Sequence, residues 1–209
     1  MKLYYIILFL TFIVSHNSYS SEKRFKVHTL AFYNLENLFD TINDTSKRDE
    51  ASPIMEMKYN RSEVYNKKIK NLSKVISGIG FEETKTLPTI VGLCEVENKN
   101  VVEDLINSDL LKNANYGISH FDSPDERGID VALIYRKNMF KILNENSAYL
   151  ELKYASGKIN YTRDQLVVEG VLENEKIYII VNHWPSRSGG ELGSRPVSYT
   201  HLTLPTSSR

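Results

Sequence analysis

Three short segments combine acids, amides and a histidine behind apolar runs: Tyr33-Asn34-Leu35-Glu36-Asn37, Gly92-Leu93-Cys94-Glu95-Val96-Glu97-Asn98 and Asn182-His183-Trp184-Pro185-Ser186-Arg187. Carboxylate and amide oxygens suit a hard divalent cation such as Mg²⁺. An imidazole and a guanidinium suit a phosphate. The set as a whole implies metal-assisted cleavage of a phosphodiester.

Such groups must be carried on a scaffold, and each segment follows a run that reads as a buried strand. Residues 26–33 are rich in strand formers and predict a first strand. Residues 40–57 are polar and without period, which predicts a surface loop. Between Tyr59 and Ile79, Val64, Ile69, Leu72, Val75, Ile76 and Ile79 recur at helical spacing. Lys67, Lys68, Lys70 and Lys74 lie largely off that stripe and read as a solvated helix face, with Gly80 as a stop. A second strand is expected over 89–94 and a second helix over 100–111, with Asn98 and Glu97 shaping the turn or capping the helix. Strand patterns follow at 116–120, 129–135, 142–150, 166–172 and 176–181, the last two joined by a hairpin at Glu173-Asn174-Glu175. This β-α-β-α order followed by consecutive strands is not the strict alternation of a doubly wound parallel sheet. It predicts an α/β (α+β) four-layer sandwich, two mixed β-sheets flanked by helices, in a single domain over 26–196 and incomplete at its carboxyl end.

Composition bounds the partners. The chain is 41% hydrophobic and 25% charged, with 26 basic and 26 acidic residues and no net charge. A protein that held nucleic acid by bulk charge would be basic, so any nucleic acid must be gripped locally. Residues 1–20 read as a secretory signal peptide: Lys2 precedes an apolar run from Leu3 to Val14, and Ser18-Tyr19-Ser20 offers small residues for cleavage. The run is too short to span a bilayer, which takes about 20 apolar residues. Secretion or a periplasmic location is therefore expected, without stable membrane association once the signal is removed. The one cysteine, Cys94, lies within an apolar run and reads as a small buried hydrophobe, not a nucleophile.

The tail departs from this pattern. Residues 197–209, VSYTHLTLPTSSR, carry no charge before Arg209 and show neither period. The string resembles translated sequencing-adapter read-through, so a non-native tail is expected and the natural protein is expected to continue past Pro196.

FYNLENLFD, GLCEVEN, RGIDVALIYR, Thr162-Arg163-Asp164 and NHWPSRSGG, in this order, resemble the endonuclease/exonuclease/phosphatase family, whose members include deoxyribonuclease I. The resemblance implies that Asn34 orients the phosphate or a catalytic carboxylate, that Glu95 is the principal metal ligand and that Glu36 contributes a second acid to the metal. It implies that His183 contacts the scissile phosphate, where a protonated imidazole would stabilise developing charge. Arg163 matches an arginine near the phosphate, with a salt bridge to Asp164 as its other reading. Ser186 and Arg187 are phosphate or loop contacts. Asp130, inside an apolar strand, needs a buried partner such as Arg127 or Arg163 and reads as structural support for the site. His28 and His120 read as packing or surface residues.

The implied cofactor is Mg²⁺, with Mn²⁺ or Ca²⁺ as alternatives, and the implied substrate is nucleic acid, bound by a monomer. The family's later Asp-x-Asn segment, which supplies the group that activates water, is not in the sequence, nor is a Ser-Asp-His ending. A truncated endonuclease with little turnover is therefore expected. A phospholipid, sphingomyelin or sugar-phosphate hydrolase is the second reading. A non-catalytic binding protein on the same fold is the third.

Overall fold

The computed structural model describes residues 25–149, 152–153 and 157–184. The expected signal segment, the 197–209 tail, Ser186 and Arg187 lie outside the described residues. Among the described residues, seven strands form two main sheets and two more form a small third one. β1 (Leu30–Leu38), β2 (Ile90–Val96), β3 (Tyr116–His120) and β4 (Asp130–Arg136) make the first, in the order β1-β2-β4-β3. β1 and β2 run parallel, and the other pairs are antiparallel. β5 (Phe140–Ala148), β8 (Gln165–Leu172) and β9 (Glu175–Val181) make an antiparallel second sheet, and β6 (Leu152–Lys153) pairs with β7 (Ile159–Asn160).

The first sheet is buried on both faces, and β2 shows how. Val91, Leu93 and Val96 face one core, while Ile90 and Cys94 face another. The first core lies under helices α1 (Arg61–Gly78) and α3 (Lys99–Ile106), with the four-residue α2 (Phe81–Thr84) between them. The second core is the seam between sheets, where Ile90, Cys94, Val131 and Leu133 meet Phe140, Leu166, Val168 and Val181. Each fully buried aliphatic side chain contributes about 1.5–3 kcal/mol, which explains why both faces of β2 and β4 are apolar. The sandwich expectation is met, with two particulars. The second sheet is purely antiparallel, and among the described residues both longer helices lie on the first sheet.

Local chemistry sets the element ends. Asn98 caps α3, its side chain accepting the Val101 N–H at 3.1 Å. α3 stops at Ile106, short of the expected 111, because Asn107, Ser108 and Asp109 favour turns over helix. Leu111 then reaches the core through a turn and is fully buried. The β8–β9 hairpin turns on Glu173 and Asn174, both left-handed, as a two-residue primed turn requires. β1 begins at Leu30 and runs past Tyr33 to Leu38, which places Asn34 and Glu36 inside the strand. The 40–57 loop is pinned by buried Asp49, Ser52 and Ile54 and contains a short 3-10 turn, Asp49–Ala51.

Candidate active site

Glu95 stands where β2 leaves its register. Continued alternation after Leu93 would turn residue 95 into the helix-covered core. Instead Glu95 adopts φ 60°, the pairing with β4 shifts between Cys94 and Val96, and Val96 takes the core position. A left-handed residue other than glycine costs about 1–2 kcal/mol. The bulge thereby re-aims a carboxylate from the core to the strand's carboxyl end. β1 does the same beside it. Glu36 and Asn37 have φ 54° and 58°, the pairing shifts between Asn34 and Leu38, and Leu35 and Leu38 both remain buried.

The two irregular strand ends are tied to each other. Asn34 donates through Nδ2 to Glu95 Oε1 at 3.1 Å, and the Asn37 backbone N–H donates to Glu95 Oε2 at 2.8 Å. The Glu36 N–H in turn donates to Asn34 Oδ1 at 2.7 Å, fixing the amide's orientation. Lys68, from α1, donates its ammonium to the carbonyls of Glu36 and Asn37, at 2.9 Å for the latter. Burial lowers the Lys68 pKa, while Glu36 and Glu95 oppose that shift. Lys68 thus closes the left-handed corner. The sequence pattern concealed it, because one helix position among several lysines carries no mark of what it will face.

His183 approaches from the end of β9, with Nε2 3.4 Å from Glu95 Oε1. Burial first, and then the Arg163 charge, lower its pKa below the ordinary histidine value, and Glu95 only partly opposes them. Both effects favour the neutral ring. Its Nδ1 is buried without a partner.

Arg163 faces inward. It is 7% exposed, donates from Nη1 to Asp125 Oδ2 at 3.1 Å and from Nη2 to the His183 carbonyl at 3.0 Å. Asp164, its expected partner, instead accepts from the Ser147 hydroxyl at 2.7 Å. A guanidinium held this way braces the backbone of His183. Burial would raise the Asp125 pKa, but hydrogen bonds from Arg127 and Arg163 outweigh it and hold the carboxyl below the usual range. Asp130 pairs with neither expected arginine. Its oxygens meet His120 Nε2 at 3.2 Å and the Ser123 N–H at 2.9 Å. Asp130 thus braces the neighbouring β3–β4 loop, and His120 is its hydrogen-bond partner.

The donor set fits a hard dication. Glu95 and Glu36 end adjacent parallel strands, and a carboxylate offers about four lone-pair positions. The bonds to Glu95 leave lone pairs on both oxygens, and Glu36 is exposed. Magnesium is commonly held by one or two carboxylates with water completing its shell. Beside Asn34 and Glu36 runs a groove of about 420 Å³, walled by Val64, Lys67, Lys68, Asn71 and Val75 of α1. Val64 and Val75, on the apolar stripe of α1, are 39% and 43% exposed and line this groove. Cys94 is buried, and its thiol is pushed up to about 12 by burial and then by Glu95, so it is no nucleophile.

A model of the Endonuclease/Exonuclease/phosphatase family matches residues 29–205. No curated protein sequence matches the chain. Among solved structures, a humanized D. rerio TDP2 with 14 mutations is similar in fold, at TM-score 0.50 and 14% identity, covering 84% of this chain and 54% of that one. A functionally unknown conserved protein from Enterococcus faecalis V583 reaches TM-score 0.48 at 14% identity, covering 83% of this chain and 60% of that one. An endonuclease/exonuclease/phosphatase from Bacteroides vulgatus reaches 0.43 at 13% identity, covering 74% and 51%. The chain thus spans between 51% and 60% of the length of these three structures.

Proposed function

The chain belongs to the endonuclease/exonuclease/phosphatase family, and from the geometry of its site we propose that it is part of an exported, metal-dependent phosphodiester hydrolase acting on nucleic acid. One observation carries the hydrolytic reading: a bulged, left-handed glutamate at a strand end, held by Asn34 and the Asn37 N–H and faced by His183. Strain of this kind persists where the surroundings over-determine it, and it clusters at reacting sites.

In this reading Glu95 and Glu36 would hold Mg²⁺, which would supply charge neutralisation at the phosphate. Asn34 fixes the Glu95 carboxylate and presents its amide beside the substrate phosphate. His183 donates a ring N–H to a nonbridging oxygen as charge develops there. Arg163 positions His183 through its carbonyl. The groove along α1 supports a polymeric substrate. Lys67 there offers a cation for local grip in a chain with no net charge. The base that activates water is assigned to an Asp-x-Asn segment that this sequence does not contain. Export rests on the apolar run at Leu3–Val14, and no helix among the described residues is long and apolar enough to cross a membrane.

The test is nicking of supercoiled DNA with Mg²⁺, run beside an RNA oligomer and a phosphomonoester. Both the 209-residue chain and the product of the locus extended past Pro196 are assayed. The extended product is expected to cleave a nucleic acid, and H183A to lower that rate by about 10²–10³. The shorter chain is expected to show little turnover. Turnover on the phosphomonoester alone would replace the nuclease reading with a phosphatase, and clear hydrolysis by the 209-residue chain would refute the assignment of the base.

A further inference from the structure

A second cluster of metal-ligating groups lies one strand away from Glu95. His120 ends β3, Asp130 begins β4 and Asp122 sits in the loop between them. One ligand atom from each lies within 4.8 Å of the others. His120 Nε2 and Asp130 Oδ2 are 3.2 Å apart, the spacing of neighbouring ligands on one small ion, and both side chains are 4% exposed. The other Asp130 oxygen is fixed by the N–H and hydroxyl of Ser123, the outer support that orients a ligating carboxylate.

Asp122 and Asp130 also border a pocket of about 270 Å³, lined by five carboxylates and a single ammonium. That ammonium, Lys47, is directed to the Ser123 carbonyl at 2.9 Å. Asp49 lines the same pocket and is 1% exposed. Its Oδ2 accepts the Asp44 N–H at 2.8 Å, but its Oδ1 is buried with no partner. Buried polar atoms are nearly always satisfied, and a buried carboxylate oxygen left unpaired is costly. Glu97, 8% exposed, adds another carboxylate to this wall. The ligand cluster and the unpaired Asp49 oxygen are separate observations that call for the same thing, a positive charge in the pocket.

We propose that His120, Asp122 and Asp130 form a second divalent-cation site, distinct from Glu95, whose charge also satisfies Asp49. One imidazole with carboxylates selects a transition dication such as Zn²⁺ over Mg²⁺ or Ca²⁺, which favour all-oxygen shells. The role is structural. The ion would pin the β3–β4 loop, the loop that carries Asp125. Asp125 holds Arg163, and Arg163 holds the His183 carbonyl. Occupancy of the second site would thereby steady one side of the active site without touching substrate.

Calorimetric titration with Zn²⁺ tests this, performed on E95Q so that the first site cannot contribute. One equivalent is expected to bind. D122N, at an exposed position that the fold does not require, is expected to abolish it in the E95Q background, with the far-UV circular dichroism unchanged. D49N is expected to weaken it tenfold or more. Mg²⁺ and Ca²⁺ are expected not to compete. Zn²⁺ binding that E95Q removes, or that D122N leaves intact, would overturn the site and leave His120–Asp130 as a plain hydrogen bond. Ca²⁺ binding in place of Zn²⁺ would overturn the ligand class.

Discussion

Asn37 donates its backbone N–H to Glu95 Oε2 at 2.8 Å, across 58 residues of sequence, and both residues are left-handed. Two strand irregularities are therefore one feature. Each frees a polar residue from a core-facing position, and each is held in place by the other. The corner they form carries the carboxylates that would bind metal.

Lys68 locks that corner, so its removal should be felt at a distance from its own helix. K68M is expected to lower stability by about 1 kcal/mol, the net worth of a half-exposed charged hydrogen bond. It should also weaken Mg²⁺ binding at Glu95. K68R, which keeps the charge, should restore part of both. Urea unfolding and metal titration read the two effects separately, and a K68M protein unchanged in both would show that the corner stands alone.

The Asp125–Arg163 pair is buried and supports His183 from behind. Asp125 has its pKa depressed in the fold, so the unfolded state binds the proton more readily. Its contribution to stability is complete above the unfolded carboxylate range and is lost as pH falls through the lower folded value. D125N is expected to cost about 3 kcal/mol near neutrality and to flatten the acid limb of the stability profile. Denaturant midpoints measured from pH 7 to pH 3 decide it. A D125N profile parallel to that of the parent would assign the acid loss elsewhere.

How much of this was legible beforehand depends on the range of the interaction. Alternation and helical spacing are local, and they located every main strand and both longer helices. The Glu173-Asn174 hairpin was legible because primed turns favour asparagine. The bulges were not, because a glutamate at positive φ leaves no local sign; Glu95 was found only through its motif and its position after an apolar run. Arg163 was identified as a residue of the site, but its partner Asp125 lies 38 residues away and nothing local specifies that pairing. Asp130 was recognised as buried and needing a partner, yet His120 and Ser123 were chosen by the β3–β4 turn.

Cys94 offers a simple check of the seam between sheets. With the thiol buried and its pKa raised to about 12, thiol reagents at pH 8 should label it only in urea, at least a hundredfold more slowly in the native state. Rapid native labelling would mean that the second core opens readily.

The central claim is that Glu95 is a metal ligand and not merely a strained acceptor of hydrogen bonds. It is tested most directly by titrating Mg²⁺ into the parent protein and E95Q, with Mn²⁺ as a second probe. The substitution keeps the shape and one acceptor oxygen, for either Asn34 or the Asn37 N–H, while removing the charge. Saturable Mg²⁺ binding by the parent, weakened at least tenfold in an E95Q protein that is still folded by far-UV circular dichroism, is the expected result. Equal Mg²⁺ affinity in the two proteins would contradict the proposed active site.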